Sequence, residues 1–143
     1  MSGIPFDQRE GFIWLDGEFV EWSQARLHVL SHGLHYASTV YEGERVYNGK
    51  IFKLREHSER LYRSAQLMDF AIPYELAELE AASHELLQRN NVVDGYLRPV
   101  AWRGSEMIST SARFNRVHVA IACWQWPSYF DPAGHMGDRK SVV

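Results

Sequence analysis

The sequence predicts an α+β fold in which a mainly antiparallel sheet carries two helices on one face. Two observations predict the sheet: apolar runs meet at Asp16-Gly17 and again at Asn48-Gly49, and both dipeptides are typical of two-residue hairpin turns. A third observation predicts the helices, because the apolar residues after Leu54 recur at intervals of three and four. We therefore expect two hairpins, then two helices, then two further strands.

Each element can be assigned in order along the chain. The predicted elements are strands at 12–15 and 18–21, strand signals between 39 and 54, helices at 56–69 and 75–89, and strands at 96–102 and 117–126. Leu61, Ala65 and Met68 line the apolar face of the first helix, and Asn90-Asn91 ends the second. Residues 24–37 show no clean period, so we expect them to be irregular.

The composition is that of one ordinary globular domain. The chain has 143 residues, of which 45% are apolar and 23% charged, so it is neither disordered nor collagen-like. No apolar run approaches the length of a membrane-spanning helix, and a net charge of −3 argues against a nucleic-acid partner. Residues 1–10 lack a secretory signal and Cys123 is the single cysteine, which together favour a reducing, cytoplasmic setting.

Three histidines, His28, His32 and His35, follow one another at spacings of four and three. On a helix these spacings would place all three on one face, as metal ligands require. However, the segment lacks a helical pattern and no acidic residue lies between it and Glu42. The alternative is a turn with structural histidines, and we predict no metal site.

Two positions are candidate anion receptors. Arg60 lies in the first turns of a helix that follows a strand, where the helix dipole favours a phosphate. The alternative is a solvated surface arginine. Tyr96 and Arg98 alternate along a strand and share a face, where a guanidinium fork beside a phenol can hold a carboxylate. The alternative there is an edge arginine with a packing tyrosine.

Gly43 interrupts a strand that also carries Tyr41 and Arg45, and Tyr36 precedes the same strand. A glycine inside a strand indicates a bulge or the close approach of a ligand. The alternative is a simple irregularity of the strand.

Four segments together resemble the N-terminal part of the branched-chain amino acid aminotransferases, fold-type IV enzymes that depend on pyridoxal 5′-phosphate (PLP). The segments are GFIWLDGEFVEW at 11–22, SHGLHYASTVYEGERVYNGKIFKLREHSERLYRSA at 31–65, DGYLRPVAWRG at 94–104 and IACWQWPSYF at 121–130. The motifs come in the same order as in the family. The resemblance implies an N-terminal arm at 1–10 and the small domain of that fold at 11–130.

The resemblance also implies roles for the candidate residues. Arg60 would hold the PLP phosphate, and Tyr96 with Arg98 would recognise a carboxylate. The substrate pocket would use the remaining candidates, which are Tyr36, Tyr41, Gly43, Arg45, Thr110, Trp126 and Tyr129. Two of these, Tyr36 and Thr110, would contribute to the site across a dimer.

The implied reaction is the transamination of leucine, isoleucine or valine with 2-oxoglutarate and glutamate. It would take place in a cytoplasmic homodimer or higher homo-oligomer, with PLP as the cofactor. An apolar aromatic wall with one Arg–Tyr receptor at its rim would accept both the aliphatic and the acidic side chain.

The chain departs from the family in its lysines. In the family, the lysine that bonds covalently to PLP lies beyond the point where this chain stops, whereas Lys50 and Lys53 stand at positions that the family does not use. Residues 131–143 are expected to be a truncated interdomain segment with a foreign tail at 138–143. We therefore expect the 143 residues alone to be inactive.

Three other functions stay open at this point. D-amino acid aminotransferases and aminodeoxychorismate lyases share the first hairpins, although Arg45 and the Tyr96–Arg98 pair fit the branched-chain group better. A non-catalytic binding module would explain the missing lysine, but it has no physical need to keep the pocket residues.

Overall fold

An antiparallel sheet of seven strands is the framework of residues 3–126, which are the residues that the computed structural model describes. The strands are β1 (Phe12–Leu15), β2 (Glu18–Glu21), β3 (Thr39–Tyr41), β4 (Glu44–Tyr47), β5 (Lys50–Ile51), β6 (Gly95–Arg103) and β7 (Val117–Gln125). The helices are α1 (His32–Tyr36), α2 (Leu54–Leu67) and α3 (Leu76–Arg89). The strand order is β2-β1-β7-β6-β4-β5, with β3 also on β6, and all these pairings are antiparallel. The predicted α+β class is confirmed.

Two tight turns build the predicted hairpins. Asp16 and Gly17 connect β1 to β2 with φ values of 48° and 97°, and Asn48 and Gly49 connect β4 to β5 with φ values of 51° and 75°. Positive φ at both central residues gives the turn a twist that matches the flanking strands. Both turns therefore lie where the sequence predicts them.

Strands β3 and β4 are two parts of one run that lies along β6. The register of β3 against β6 continues unchanged into β4, so no residue is inserted at Glu42-Gly43. Glu42 donates its N–H to the carbonyl of Pro99 at 3.0 Å, but proline has no N–H to return. The ladder of hydrogen bonds between this run and β6 is therefore interrupted at Glu42. The prediction of a bulge at Gly43 is wrong, because no extra residue is inserted there.

Helices α2 and α3 pack against each other and cover one face of the sheet, as predicted. Leu61 of α2 and Leu86 of α3 are 1% and 0% exposed and belong to the same core as Leu97 and Ile121 of the central strands. Within residues 3–126, no helix is both long enough and apolar enough to cross a membrane.

The bounds of α2 differ from the prediction. The helix begins two residues early, at Leu54, because β5 has only two residues and the chain turns into the helix at once. It ends at Leu67, so Met68 lies beyond it and is 39% exposed instead of buried in the core.

The segment 24–37 contains a helix that the sequence did not predict. With five residues, α1 is little longer than one turn, which is too short for an apolar period to show. The helix is followed by Ala37, whose φ of 56° directs the chain into β3.

The sheet has a covered face and an open face. Along β6, Leu97 and Ala101 are buried under the helices, whereas Tyr96, Arg98 and Trp102 alternate with them and keep contact with solvent. The open face carries an apolar groove of about 400 Å³ between β1, β6, β7 and α1. The candidate residues on β6 therefore lie on the open face.

Candidate functional site

Arg98 lies within a cluster of aromatic rings on the open face. Its guanidinium carbon is 4.3 Å from the centroid of the Tyr41 ring, and its Nη2 donates to the Tyr96 hydroxyl at 3.3 Å. Among residues 3–126, no carboxylate forms an ion pair with it. An exposed guanidinium that two rings hold in place, without an anionic partner in this part of the chain, is suited to bind a carboxylate from solution.

Gly43 makes room for the hydroxyl of Tyr96. A Cβ atom at position 43 would overlap that hydroxyl. The close approach expected at this glycine is therefore made by a side chain of the protein itself. It allows the Tyr96 hydroxyl to reach Arg98.

Arg45 and Trp126 extend the cluster along the sheet. Arg45 is opposite Tyr96 in the ladder, and its Nη2 donates to the carbonyl of Trp126 at 3.3 Å. The Tyr96 ring lies 5.0 Å from the rings of both Trp124 and Trp126. The structure thus brings six of the candidates together: Tyr41, Gly43, Arg45, Tyr96, Arg98 and Trp126.

Arg60 reaches the same connection between β3 and β4, where Glu42 holds it. Its Nε and Nη2 both donate to the Glu42 carboxylate at 2.6 Å, and Nδ1 of His57 lies 2.9 Å from the same group. Glu42 is 3% exposed, whereas the Arg60 side chain is 58% exposed. Burial raises the pKa of the Glu42 carboxyl, but the hydrogen bonds from Arg60 and His57 lower it more, so the net pKa lies below its ordinary value. The ionised carboxylate orients the guanidinium.

The helix dipole does not explain the position of Arg60. Because α2 begins at Leu54, Arg60 is its seventh residue and lies almost two turns from the start, beyond the range of the dipole. The expectation that the helix dipole acts at Arg60 is therefore wrong, although the residue lies within the first two turns of α2. Glu42 sets the direction of this side chain instead.

A second buried carboxyl belongs to Glu44, the first residue of β4, two positions after Glu42. It is 1% exposed, and its Oε2 has no hydrogen-bond partner among the described residues. Burial, together with the charges of Glu42 and Glu80, raises the pKa of Glu44 to about 8. Glu44 is therefore mostly protonated at neutral pH.

Tyr36 and Thr110 belong to a second group, formed by α1 and the loop that joins β6 to β7 (residues 104–116, the β6–β7 loop). The Tyr36 hydroxyl donates to the carbonyl of Ile108 at 2.9 Å, and Thr110 is exposed two residues further along. Their contribution across a dimer stays a prediction. Tyr129 lies outside the described residues, as does the segment 131–143.

The three spaced histidines contact separate groups. His32 contacts the carbonyl of Ser109, His35 contacts the carbonyl of Val29, and His28 accepts a hydrogen bond from the nearby backbone. Within residues 3–126, no three His, Cys, Asp or Glu side chains are grouped as metal ligands. These contacts favour the interpretation of structural histidines.

Sequence reasoning missed Glu42 as a member of the site. The sequence does contain a signal for Glu42, which is an acidic residue among strand residues. If such a residue is buried, its carboxylate needs a partner. Its partner Arg60 lies 18 positions away on another element, and no local pattern reveals such a pairing.

Comparison with known proteins identifies the family. Residues 39–141, which are more than half of the chain, match the family described as amino-transferase class IV. The chain belongs to the class IV aminotransferase family. The matched range includes the Arg98 cluster, Arg60 and the β6–β7 loop of this family member.

The curated relatives of this class IV aminotransferase include branched-chain enzymes. The chain is 38% identical to the probable branched-chain-amino-acid aminotransferase of Rickettsia conorii over 122 residues, which are 85% of this chain and 42% of that protein. It is 42% identical to the branched-chain-amino-acid aminotransferase of Pseudomonas aeruginosa over 125 residues, which cover 85% and 41% of the two proteins. The chain thus spans about two fifths of the length of these relatives.

Solved structures share the fold. The T.th. branched-chain amino acid aminotransferase with pyridoxamine 5′-phosphate matches at a TM-score of 0.81 and 39% identity, over 85% of this chain and 41% of that one. The same enzyme complexed with 4-methylvaleric acid matches at a TM-score of 0.79 and 39% identity, over 82% and 41% of the two chains. These matches confirm the predicted resemblance to the N-terminal part of such enzymes.

Proposed function

We propose that these residues form the carboxylate- and phosphate-binding part of a PLP-dependent branched-chain amino acid aminotransferase. The observation that carries the proposal is the position of Arg98, which Tyr41 and Tyr96 hold in place and which also lines the apolar groove. A carboxylate receptor at the rim of an apolar groove suits a molecule with an acidic head and an aliphatic tail. Leucine, isoleucine, valine and their 2-oxo acids have this form.

The groove itself supports an aliphatic substrate. Its lining is mainly hydrocarbon and includes Ile13, Leu15, Leu34, Val100, Ala120 and Ala122. Branched side chains would gain free energy by leaving water for such a surface. Arg98 would take the carboxylate in either half-reaction, including that of glutamate or 2-oxoglutarate, because the guanidinium fork binds any accessible carboxylate.

Arg60 fits the phosphate of PLP. Glu42 occupies its Nε and Nη2, and the side chain is 58% exposed, so the Nη1 edge is open to a phosphate oxygen. A guanidinium with a fixed direction loses less conformational entropy on binding than one that is unrestrained. When bound, PLP would supply the electron sink for the reaction at the amino acid Cα.

The two described lysines, Lys50 and Lys53, are both exposed. Lys50 is exposed on β5, Lys53 pairs with Glu56 at 3.6 Å, and neither lines the groove. We therefore propose that the 143 residues bind PLP through its phosphate without turnover.

The proposal extends to assembly and location. Tyr36 and Thr110 would enter the site of the partner subunit in a homodimer, and residues 11–130 would be the small domain. A cytoplasmic location is supported by Cys123, which is a buried free thiol.

The carboxylate receptor can be tested with 4-methylvaleric acid, because this molecule joins a carboxylate to a branched tail. We expect a saturable change in tryptophan fluorescence when the 143-residue chain is titrated at submicromolar concentration, where self-association does not cover the groove. Arg98→Gln should weaken binding about tenfold or more, since it removes a charge-assisted contact. Arg63→Gln, on the exposed side of α2, is the matched control and should bind normally. Normal affinity of Arg98→Gln would contradict the assignment.

The phosphate site can be tested by comparing PLP with pyridoxal, which lacks the phosphate. Arg60→Gln should weaken the binding of PLP and leave that of pyridoxal unchanged, whereas Arg63→Gln should alter neither. Borohydride treatment should trap no specific lysine adduct in the chain. A trapped lysine accompanied by turnover of L-leucine would overturn the prediction of inactivity, and turnover of D-alanine or aminodeoxychorismate would replace the substrate assignment.

A further inference from the structure

One buried histidine joins α1 to the tip of the β6–β7 loop, by which we mean the exposed residues 105–111. His32 is 3% exposed, and its Nε2 lies 3.0 Å from the carbonyl oxygen of Ser109. Its Nδ1 lies 2.6 Å from the hydroxyl of Ser38, and its backbone N–H donates to the carbonyl of Gly104 at 2.9 Å. His32 therefore contacts the residue before β3 and two points of the loop at once.

The acceptor groups fix the tautomer of His32. A backbone carbonyl only accepts hydrogen bonds, so Nε2 must carry the proton that it donates to Ser109. In the neutral ring, Nδ1 accepts from the Ser38 hydroxyl, so both ring nitrogens have a partner. A buried ring with two directed bonds has little freedom to move.

The same ring supports Tyr36. The two ring centroids are 4.5 Å apart, and the Tyr36 hydroxyl donates to the carbonyl of Ile108 at 2.9 Å. The carbonyls of Ile108 and Ser109, which directly precede Thr110, are thus both bound by α1. Asn115 holds the base of the loop through Gly104 and Met107, so the tip depends on α1.

Without these bonds, the tip has no regular structure to hold it. Residues 104–116 contain no helix or strand, and residues 105–111 are all exposed. Segments of this kind open locally at low free-energy cost.

We propose that His32 is a positioning residue that locks Tyr36 and the Ile108–Thr110 segment into one unit. The functional part of this inference rests on the proposed function, which assigns Tyr36 and Thr110 to the substrate site of a partner subunit. The lock itself is a property of this chain alone, because all its contacts lie within residues 32–109.

Limited proteolysis of the 143-residue chain tests the lock, with two substitutions that separate the two ring nitrogens. The amide of His32→Gln reaches the position of Nε2 and can still donate to Ser109, whereas the shorter His32→Asn keeps only the contact with Ser38. We expect His32→Asn to speed cleavage after the exposed Glu106 by a glutamate-specific protease about fivefold, and His32→Gln to change it less than twofold. Cleavage at glutamates outside the loop should keep its native rate.

Equal acceleration by both substitutions would overturn the proposal, since it would mean that the ring only fills space. Faster cleavage at glutamates throughout the chain would overturn it as well. If His32→Asn does not fold, Tyr36→Phe replaces it, because it removes the neighbouring bond to Ile108 from a half-exposed position. It should speed cleavage after Glu106 alone, and an unchanged rate there would count against the lock. None of these measurements needs PLP, so they succeed or fail independently of the proposed function.

Discussion

At the scale of single residues, Gly43 shapes the site through the side chain that it lacks. Gly43→Ala should displace the Tyr96 ring, because the new Cβ would overlap its hydroxyl, at a cost of about 1–3 kcal/mol in the free energy of unfolding. Urea unfolding measures this cost, and Gly3→Ala, whose Cβ would meet nothing within 4 Å, is the control. In a Tyr96→Phe background the cost should fall, since the nearest atom is then gone. An equal cost in both backgrounds would contradict this explanation.

Glu44 should make stability depend on pH. The folded protein holds its proton with a pKa of about 8, against an ordinary value of 4.5, so the free energy of unfolding should fall as the pH rises between these values. Glu44→Leu removes the unpartnered buried oxygen and should flatten this dependence, with a gain of about 1–3 kcal/mol at pH 8. Glu18→Leu, on an exposed strand position, should keep the dependence. Urea unfolding across this pH range measures the free energy of unfolding at each pH. If this free energy fell with pH as steeply in Glu44→Leu as in the native chain, Glu44 would not be the source of the dependence.

At the scale of elements, Glu42 joins the β3–β4 connection to α2 through Arg60 and His57. Glu42→Gln should lower the free energy of unfolding by about 1–3 kcal/mol at pH 7, because it replaces a charged acceptor by an amide. The pKa of Glu42 is lowered in the folded state, so its contribution is present above the ordinary pKa and is lost as the pH falls. The difference between native and variant chains should therefore shrink in acid.

The matched control for this element contact is Glu85→Gln, which removes an exposed pair with Arg89 on α3. It should change the free energy of unfolding by less than about 0.5 kcal/mol. A constant difference between native and Glu42→Gln chains from neutral to acid pH would contradict the role of the ionised carboxylate.

The elements also show what a single sequence can predict. The turns at Asp16-Gly17 and Asn48-Gly49 and the apolar stripe of α3 are local patterns, and the structure confirms them. The interruption at Glu42-Gly43 depends on Pro99, which meets it only after the sheet has formed. The pair of Glu42 with Arg60 is equally non-local, and α1 is too short to show a period. Of the candidate residues, Tyr96 and Arg98 could be placed together because alternation along one strand is also a local rule.

At the scale of the whole molecule, the two faces of the sheet differ in what covers them. Helices α2 and α3 cover one face, while the open face keeps its apolar groove. Leu27 and Leu34, which line this groove, are 56% and 64% exposed. Exposed apolar side chains beside an apolar groove favour association with another molecule. The 143-residue chain should therefore self-associate at micromolar concentration.

Charged substitutions at the groove test this prediction. Leu27→Lys with Leu34→Lys places two charges on residues that line the groove, so sedimentation velocity should show a shift from associated to monomeric chain. The free energy of unfolding should change little, since both side chains are more than half exposed in the native chain. Leu67→Lys, at a residue that is 83% exposed at the end of α2, is the control and should leave association as it is. If Leu67→Lys shifted the chain to monomer as effectively as the double substitution in the groove, the added charge alone would explain the result. The open face would then have no special part in association.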